Sequence, residues 1–157
     1  EDSGSLITRF RSLGQANLGD KVILLDVSTN ELVKQEITAL EAVYDTKITY
    51  EMDVEEQDIF LSLLDETTNI ALVQHNPCWC NGWNCGYYSC YNSCSGCVGG
   101  GCFIGETMVT TPDGQKEIKD IEIGDIVQSY DFVKNELITK KVKGLWKSDY
   151  NNKLVII

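Results

Sequence analysis

The sequence predicts an all-β domain built from two copies of one supersecondary unit, with a cysteine-rich segment held between them. Three observations carry that expectation: an internal repeat, β-rich runs bounded by turn residues, and two sharp changes of composition. The repeat is read directly from the residues. Gly19-Asp20-Lys21-Val22-Ile23-Leu24-Leu25-Asp26 runs on through Asn30-Glu31-Leu32, and Gly124-Asp125-Ile126-Val127-Gln128-Ser129-Tyr130-Asp131 runs on through Asn135-Glu136-Leu137. At a constant offset of 105 residues, Gly, Asp, Val, Asp, Asn, Glu and Leu coincide without a gap. Chance supplies two or three such matches in that window, hardly seven. Two copies of one unit on either side of a separate segment point to a domain with pseudo-twofold symmetry.

The individual elements follow in order. Lys21–Leu25, Ile70–Val73 and Leu154–Ile157 are rich in β-branched and apolar residues, as strands are. Asn30-Glu31 and Asn135-Glu136 suit hairpin tips, and Thr111-Pro112-Asp113-Gly114 is a turn signal between two apolar runs. One pattern competes. Val33, Ile37 and Leu40 fall at i, i+4 and i+7, as do Ile138, Val142 and Leu145, so both stretches are compatible with a helical face. The β-rich flanks favour strands.

Composition divides the chain at two places. All seven cysteines lie between Cys78 and Cys102, and the flanks have none, so they form a separate object rather than staples for the globule. Residues 77–101 carry no charged side chain and end in Val98-Gly99-Gly100-Gly101, too flexible for a regular element. The 157 residues suffice for one packed domain. Net charge is −11, from 24 acidic residues against 13 Lys and Arg, which argues against a nucleic-acid binder needing a basic patch. No apolar run reaches the length of a spanning helix, so no membrane segment is expected. The start, Glu1-Asp2-Ser3-Gly4-Ser5, is acidic and does not read as a signal peptide.

The chemistry-bearing residues sit at the two composition boundaries. The last segment opens Cys102-Phe103-Ile104-Gly105-Glu106-Thr107-Met108-Val109 and continues to Gly124-Asp125; the first closes on Ile70-Ala71-Leu72-Val73-Gln74-His75-Asn76. In these residues the chain resembles inteins and other Hint (Hedgehog/intein) domains, which begin with a Cys in a C-[FL]-x-x-x-T-x-V context and end on an apolar strand and His-Asn. Val43-Tyr44-Asp45 and Tyr50–Val54, with Phe60-Leu61, look like the strand pair that precedes the His-Asn. The order is reversed. Residues 1–76 match the C-terminal half of such a module, 102–157 its N-terminal half, and 77–101 stand where flanking sequences meet. The resemblance implies a horseshoe-like Hint fold with a pseudo-twofold internal repeat.

It also implies a self-processing reaction of a single turnover, with no trans substrate. The Cys102 thiol would attack the Gly101 carbonyl and convert the Gly101–Cys102 amide to a thioester. Sulfur suits the step, because thiolate is strongly nucleophilic with a free pKa of about 8.5. The Asn76 side-chain amide would then attack its own carbonyl, forming a succinimide and cleaving the bond before Pro77. His75 would act as general acid at that bond, Thr107 as a supporting contact and Asp58 in place of a family histidine two residues before Phe60. The products would be a released or cyclised 77–101.

Three positions depart from the family pattern. A T-x-x-H motif is missing; the nearest candidate, Thr8-Arg9-Phe10-Arg11, offers an arginine that cannot shuttle a proton near neutral pH. Asp58 replaces the histidine already mentioned. Pro77 stands where splicing requires Cys, Ser or Thr, with Cys78 one position later. Cleavage at either end is therefore better supported than full splicing.

For Cys78, Cys80, Cys85, Cys90, Cys94 and Cys97 three states stay open. Only one C-x-x-C is present, short of the two-plus-two pattern of a structural zinc site. Six cysteines allow 15 disulfide pairings, and an uncleaved flexible flanking sequence is the third state. The competing reading of the whole chain is an inactive Hint-like scaffold presenting this segment as a metal- or disulfide-stabilised binding module. No cofactor, metal or partner is needed by the proposed reaction, and its thiol chemistry suits a reducing cytoplasm. Hinge-linked halves leave a domain-swapped homo-oligomer open.

Overall fold

In the computed structural model, residues 16–56, 59–65, 67–75 and 103–156 are described, with the backbone path alone at 44–47, 63–65, 75 and 148–156. The described chain is all β, in antiparallel sheets, with one turn of 3-10 helix at Ile118–Asp120. No helix among the described residues is long and apolar enough to cross a membrane.

The sequence repeat is also a repeat of hydrogen bonds. Strand β1 (Lys21–Asp26) returns as β2 (Glu31–Glu36), with Asp26 and Glu31 as the closing pair. Strand β9 (Ile126–Asp131) returns as β10 (Glu136–Ile156), closing on Asp131 and Glu136. At the tips, Asp26 Oδ1 accepts from the Ser28 and Thr29 amides at 2.9 and 3.2 Å. Asp131 Oδ1 accepts from the Val133 and Lys134 amides at 2.9 and 3.0 Å. Asn30 and Asn135 then take left-handed backbone, φ +62° and +54°, which asparagine tolerates better than most residues. Each asparagine thus ends its turn, and the glutamate after it starts the return strand.

The hairpin bases match as closely. The Gly19 amide donates to Ile37 O at 3.0 Å and the Ile37 amide to Asp20 O at 2.8 Å; Gly124 to Val142 O and Val142 to Asp125 O are 2.8 and 2.9 Å. Gly19 and Gly124 both sit at positive φ, +88° and +101°. Side chains repeat the bond too: Asp20 Oδ2 accepts from the Asn17 amide and Asp125 Oδ2 from the Glu122 amide, both at 2.9 Å. The spacing Val33, Ile37, Leu40 is therefore not a helix. Val33 lies in β2, while Ile37 is buried in the link that follows and Leu40 ends it; Ile138, Val142 and Leu145 all lie in β10.

The repeat extends beyond its legible residues. Strand β3 (Glu41–Val54) pairs antiparallel with the second half of β10, and Thr46 lies opposite Asn151 in that register. Those two positions are 105 residues apart, the offset of the repeat. An antiparallel pair in which equivalent positions face each other is the register a twofold through its centre imposes. The tips obey the same rule: Asn30 Nδ2 donates to Asn135 O at 2.9 Å, again across 105 residues, and Asn30 Oδ1 accepts from the Leu137 amide at 3.1 Å.

Asn30 is therefore a turn residue and a bridge. Asn30→Ala should lower stability by about 1–2 kcal/mol, through left-handed strain and lost hydrogen bonds. Asn30→Gly keeps the backbone and loses only the bridge, about 1 kcal/mol. Urea unfolding of both variants separates the two contributions.

The remaining strands are β4 (Ile59–Asp65), β5 (Ile70–His75), β6 (Phe103–Ile104), β7 (Met108–Thr111) and β8 (Gly114–Glu117). One sheet has the order β2-β1-β5-β4, a second β6-β3-β10-β9, and β7-β8 is a hairpin turning at Pro112-Asp113, as its sequence predicts. The expected strand pair before the His-Asn differs: β3 and β4 both form, but β3 pairs with β10 and β6, and β4 with β5. The antiparallel partner of β3 is set by the twofold register, which its own residues do not announce.

Two core clusters result, and β4 joins them. Ile59 and Leu61 point into the cluster of Leu25, Ala71, Val73 and Tyr130. Phe60, between them, points into the cluster of Tyr50, Met52, Val54, Val109, Ile118, Ile121, Val127 and Val142. Alternation along a strand buried on both faces places successive residues on opposite sides.

Candidate functional site

The cysteine-rich segment follows β5 and precedes β6 in the chain, and Phe60 of β4 links the two strands. His75 is the last residue of β5 and lies opposite Ile59 of β4; Gln74 lies opposite Phe60. The Phe60 ring meets the Phe103 ring edge to face, with centroids 5.3 Å apart and planes at 79°. Phe103 opens β6, opposite Tyr50 of β3. The last strand of the first segment and the first strand of the last are thus linked through Phe60.

Beyond Phe103 the chain is held by a tight turn. The Thr107 amide donates to Ile104 O at 3.0 Å, and Thr107 O accepts from the Ile118 amide at 2.8 Å. Gly105 inside that turn is buried, and a Cβ there would lie 3.1 Å from Tyr50 Cε2 and 3.3 Å from Lys119 Cβ. A Cβ here would press on the tyrosine ring and on Lys119, which would have to give by a few tenths of an ångström. Thr107 is half-buried, and its backbone bonds fasten this turn to the 3-10 turn. Beside Tyr50 a cleft of about 480 Å³ opens, lined by Ile118, Ile121, Leu145, Lys119 and Lys147 among others. Lys147 Nζ stands 5.4 Å from the Tyr50 ring centre.

Of the residues expected from sequence, the structure describes Thr107 fully and His75 by its backbone. Asp58, Asn76, Pro77, Cys78, Gly101 and Cys102 lie outside the described residues, as do the other cysteines and Thr8–Arg11. Sequence reasoning missed the role of Phe60 as the link between β5 and β6. It also missed Ser62, which is 5% exposed and accepts from Gln74 Nε2 at 2.7 Å. A lone hydroxyl in the run Ile59-Phe60-Leu61-Ser62-Leu63-Leu64 was the available signal.

An ion pair fastens the second hairpin base. Lys116 Nζ lies 2.7 Å from Asp125 Oδ2. That bond, with the Glu122 amide, holds the Asp125 carboxyl below the usual carboxylate range. A depressed folded pKa contributes stability above the unfolded value of about 3.9 and loses it as pH falls through the folded one. The protein should therefore weaken on acidification below about pH 4, and Asp125→Asn should flatten that part of the profile. Urea midpoints between pH 3 and 6 check it. Among the described residues no group of three His, Cys, Asp or Glu side chains is placed to hold a metal.

Comparison with known proteins adds no assignment: no family model, curated protein or solved structure matches the chain.

Proposed function

We propose that the chain is an autoprocessing module of the Hint type in permuted order, acting on its own segment 77–101. The observation that carries the reading is that β5, which ends on His75, pairs with the strand whose Phe60 ring meets Phe103 at the start of β6. The repeated hairpins and their twofold register support it, as a pseudo-symmetric all-β domain is what the resemblance implies.

In the first step the Cys102 sulfur attacks the Gly101 carbonyl. The C–N bond breaks, a C–S bond forms, and the thiol proton passes to the departing Cys102 amine. In the second, Asn76 Nδ2 attacks the Asn76 carbonyl, closing a succinimide and expelling the Pro77 nitrogen, which takes up a proton. His75 supplies or polarises that proton transfer, worth about 10²–10⁴-fold. Both steps are unimolecular, so fixed geometry provides much of the acceleration. The T-x-x-H histidine is missing and Pro77 cannot accept the acyl group, so cleavage is the expected outcome: after Asn76 by succinimide closure, and at Gly101 by attack of water or an added thiol on the thioester carbonyl, which breaks the C–S bond and frees the Cys102 thiol.

Trapping with a small thiol tests the first step. Added thiol should release a fragment ending at Gly101 as the thiol adduct, together with one beginning at Cys102. Protein that stays intact through long incubation with thiol contradicts the activity, and bound zinc or fully paired cysteines would instead favour the scaffold reading.

A further inference from the structure

One polar pair lies on the face of β4 and β5 that carries Phe60. Phe60 and Ser62 share one face of β4, and Leu72 and Gln74 share the matching face of β5, with Phe60 opposite Gln74 and Ser62 opposite Leu72. The Gln74 amide therefore reaches Ser62 diagonally, at a separation a long side chain spans, and its Nε2 donates to Ser62 Oγ at 2.7 Å. Ser62 is 5% exposed, and this is the face whose Phe60 ring meets Phe103.

Packing does not explain the pair. Burying a hydroxyl and an amide is unfavourable unless they bond, and replacing both partners with apolar groups of similar shape is close to neutral. What the bond adds is direction at the end of β5. Among the described residues β1 pairs with β5 only at Ile70, Ala71 and Leu72, so the end from Val73 to His75 is paired with β4 on one side alone. Strand ends open locally more readily than strand centres. The side-chain bond pins the residue before His75 from a buried anchor.

Resting on the autoprocessing reading above, we propose that Ser62 and Gln74 are positioning residues for His75, and that their hydrogen bond sets the rate of cleavage after Asn76. Gln74 acts through the β5 backbone it fixes, next to His75. For an intramolecular cyclisation, small displacements of the reacting groups are costly.

The full-length chain tests this with Gln74→Leu, Ser62→Ala and the conservative Ser62→Thr. Two rates are followed by mass spectrometry: cleavage after Asn76, and thiol-induced release at Gly101–Cys102. His75 is the only histidine, so its imidazole NMR signals can be titrated without ambiguity in an Asn76→Ala background. Gln74→Leu and Ser62→Ala should slow cleavage after Asn76 by about ten- to a hundredfold, with a far smaller effect on thiol release, and should move the His75 titration midpoint. Ser62→Thr, which keeps the hydroxyl, should restore most of the rate. Equal slowing at both ends with a lowered unfolding midpoint means a structural role only and overturns the proposal. So does unchanged Asn76 cleavage with an unmoved titration. A wild-type chain that never cleaves overturns this proposal together with the reading it rests on, whereas a cleaving wild type with indifferent variants overturns this proposal alone.

Discussion

Cys102→Ala should abolish thiol-induced release at Gly101 and leave cleavage after Asn76 running, while Asn76→Ala should do the reverse. The separation follows from the chemistry. Each nucleophile attacks a different carbonyl, and neither carbonyl lies within the bond the other breaks. Removing a nucleophile removes its pathway outright. Removing an acid only slows one, so His75→Ala should reduce cleavage after Asn76 by about 10²–10⁴-fold rather than eliminate it. Fragment masses of the three variants under identical incubation decide the matter. Loss of both cleavages in either single variant would mean that the two steps are obligatorily ordered.

Phe60→Ala should have the largest effect on stability. Phe60 is fully buried, joins the core cluster of β3 and β10, and makes the ring contact to Phe103. Truncating a buried phenylalanine costs about 3–5 kcal/mol, and an edge-to-face aromatic pair about 0.5–1.5 kcal/mol beyond burial. Both cleavages should fall together, because this ring links the two strands that flank the proposed scissile bonds in the chain. Phe60→Leu refills most of the volume without the ring pair. It should recover much of the urea midpoint and less of the cleavage rate, which separates packing from alignment.

How far the fold was legible depended on whether its requirements were local. The hairpins could be read because each turn needs particular residues: glycine at positive φ at 19 and 124, an aspartate whose carboxylate caps two amides at 26 and 131, and an asparagine in left-handed backbone at 30 and 135. The crossing of β3 with β10 could not, because backbone hydrogen bonds satisfy it and the opposed residues Thr46 and Asn151 share no chemistry. Val33, Ile37 and Leu40 matched a helical spacing by coincidence; Gly19 and Asp20 bonding to Ile37 leave no turn of helix to form there.

The site divides the same way. His75-Asn76 and the Cys102 motif are contiguous and visible in sequence, and Gly105 within that motif is explained by the Tyr50 ring lying against it. The link through Phe60 and the Ser62–Gln74 bond join residues from different strands, so only the register of β4 on β5 reveals them.

The central claim is that the chain cuts itself by cyclising Asn76. The most direct measurement is the mass balance of that cut in wild-type protein incubated at neutral pH. Cyclisation adds no water, so at the earliest time points, before the succinimide hydrolyses and while the Gly101–Cys102 link is uncut, the fragment ending at Asn76 and the fragment beginning at Pro77 should sum to the mass of the uncut chain. Fragments whose masses sum to the chain plus one water from their first appearance, or a cut at any other bond with Asn76–Pro77 intact, would contradict it.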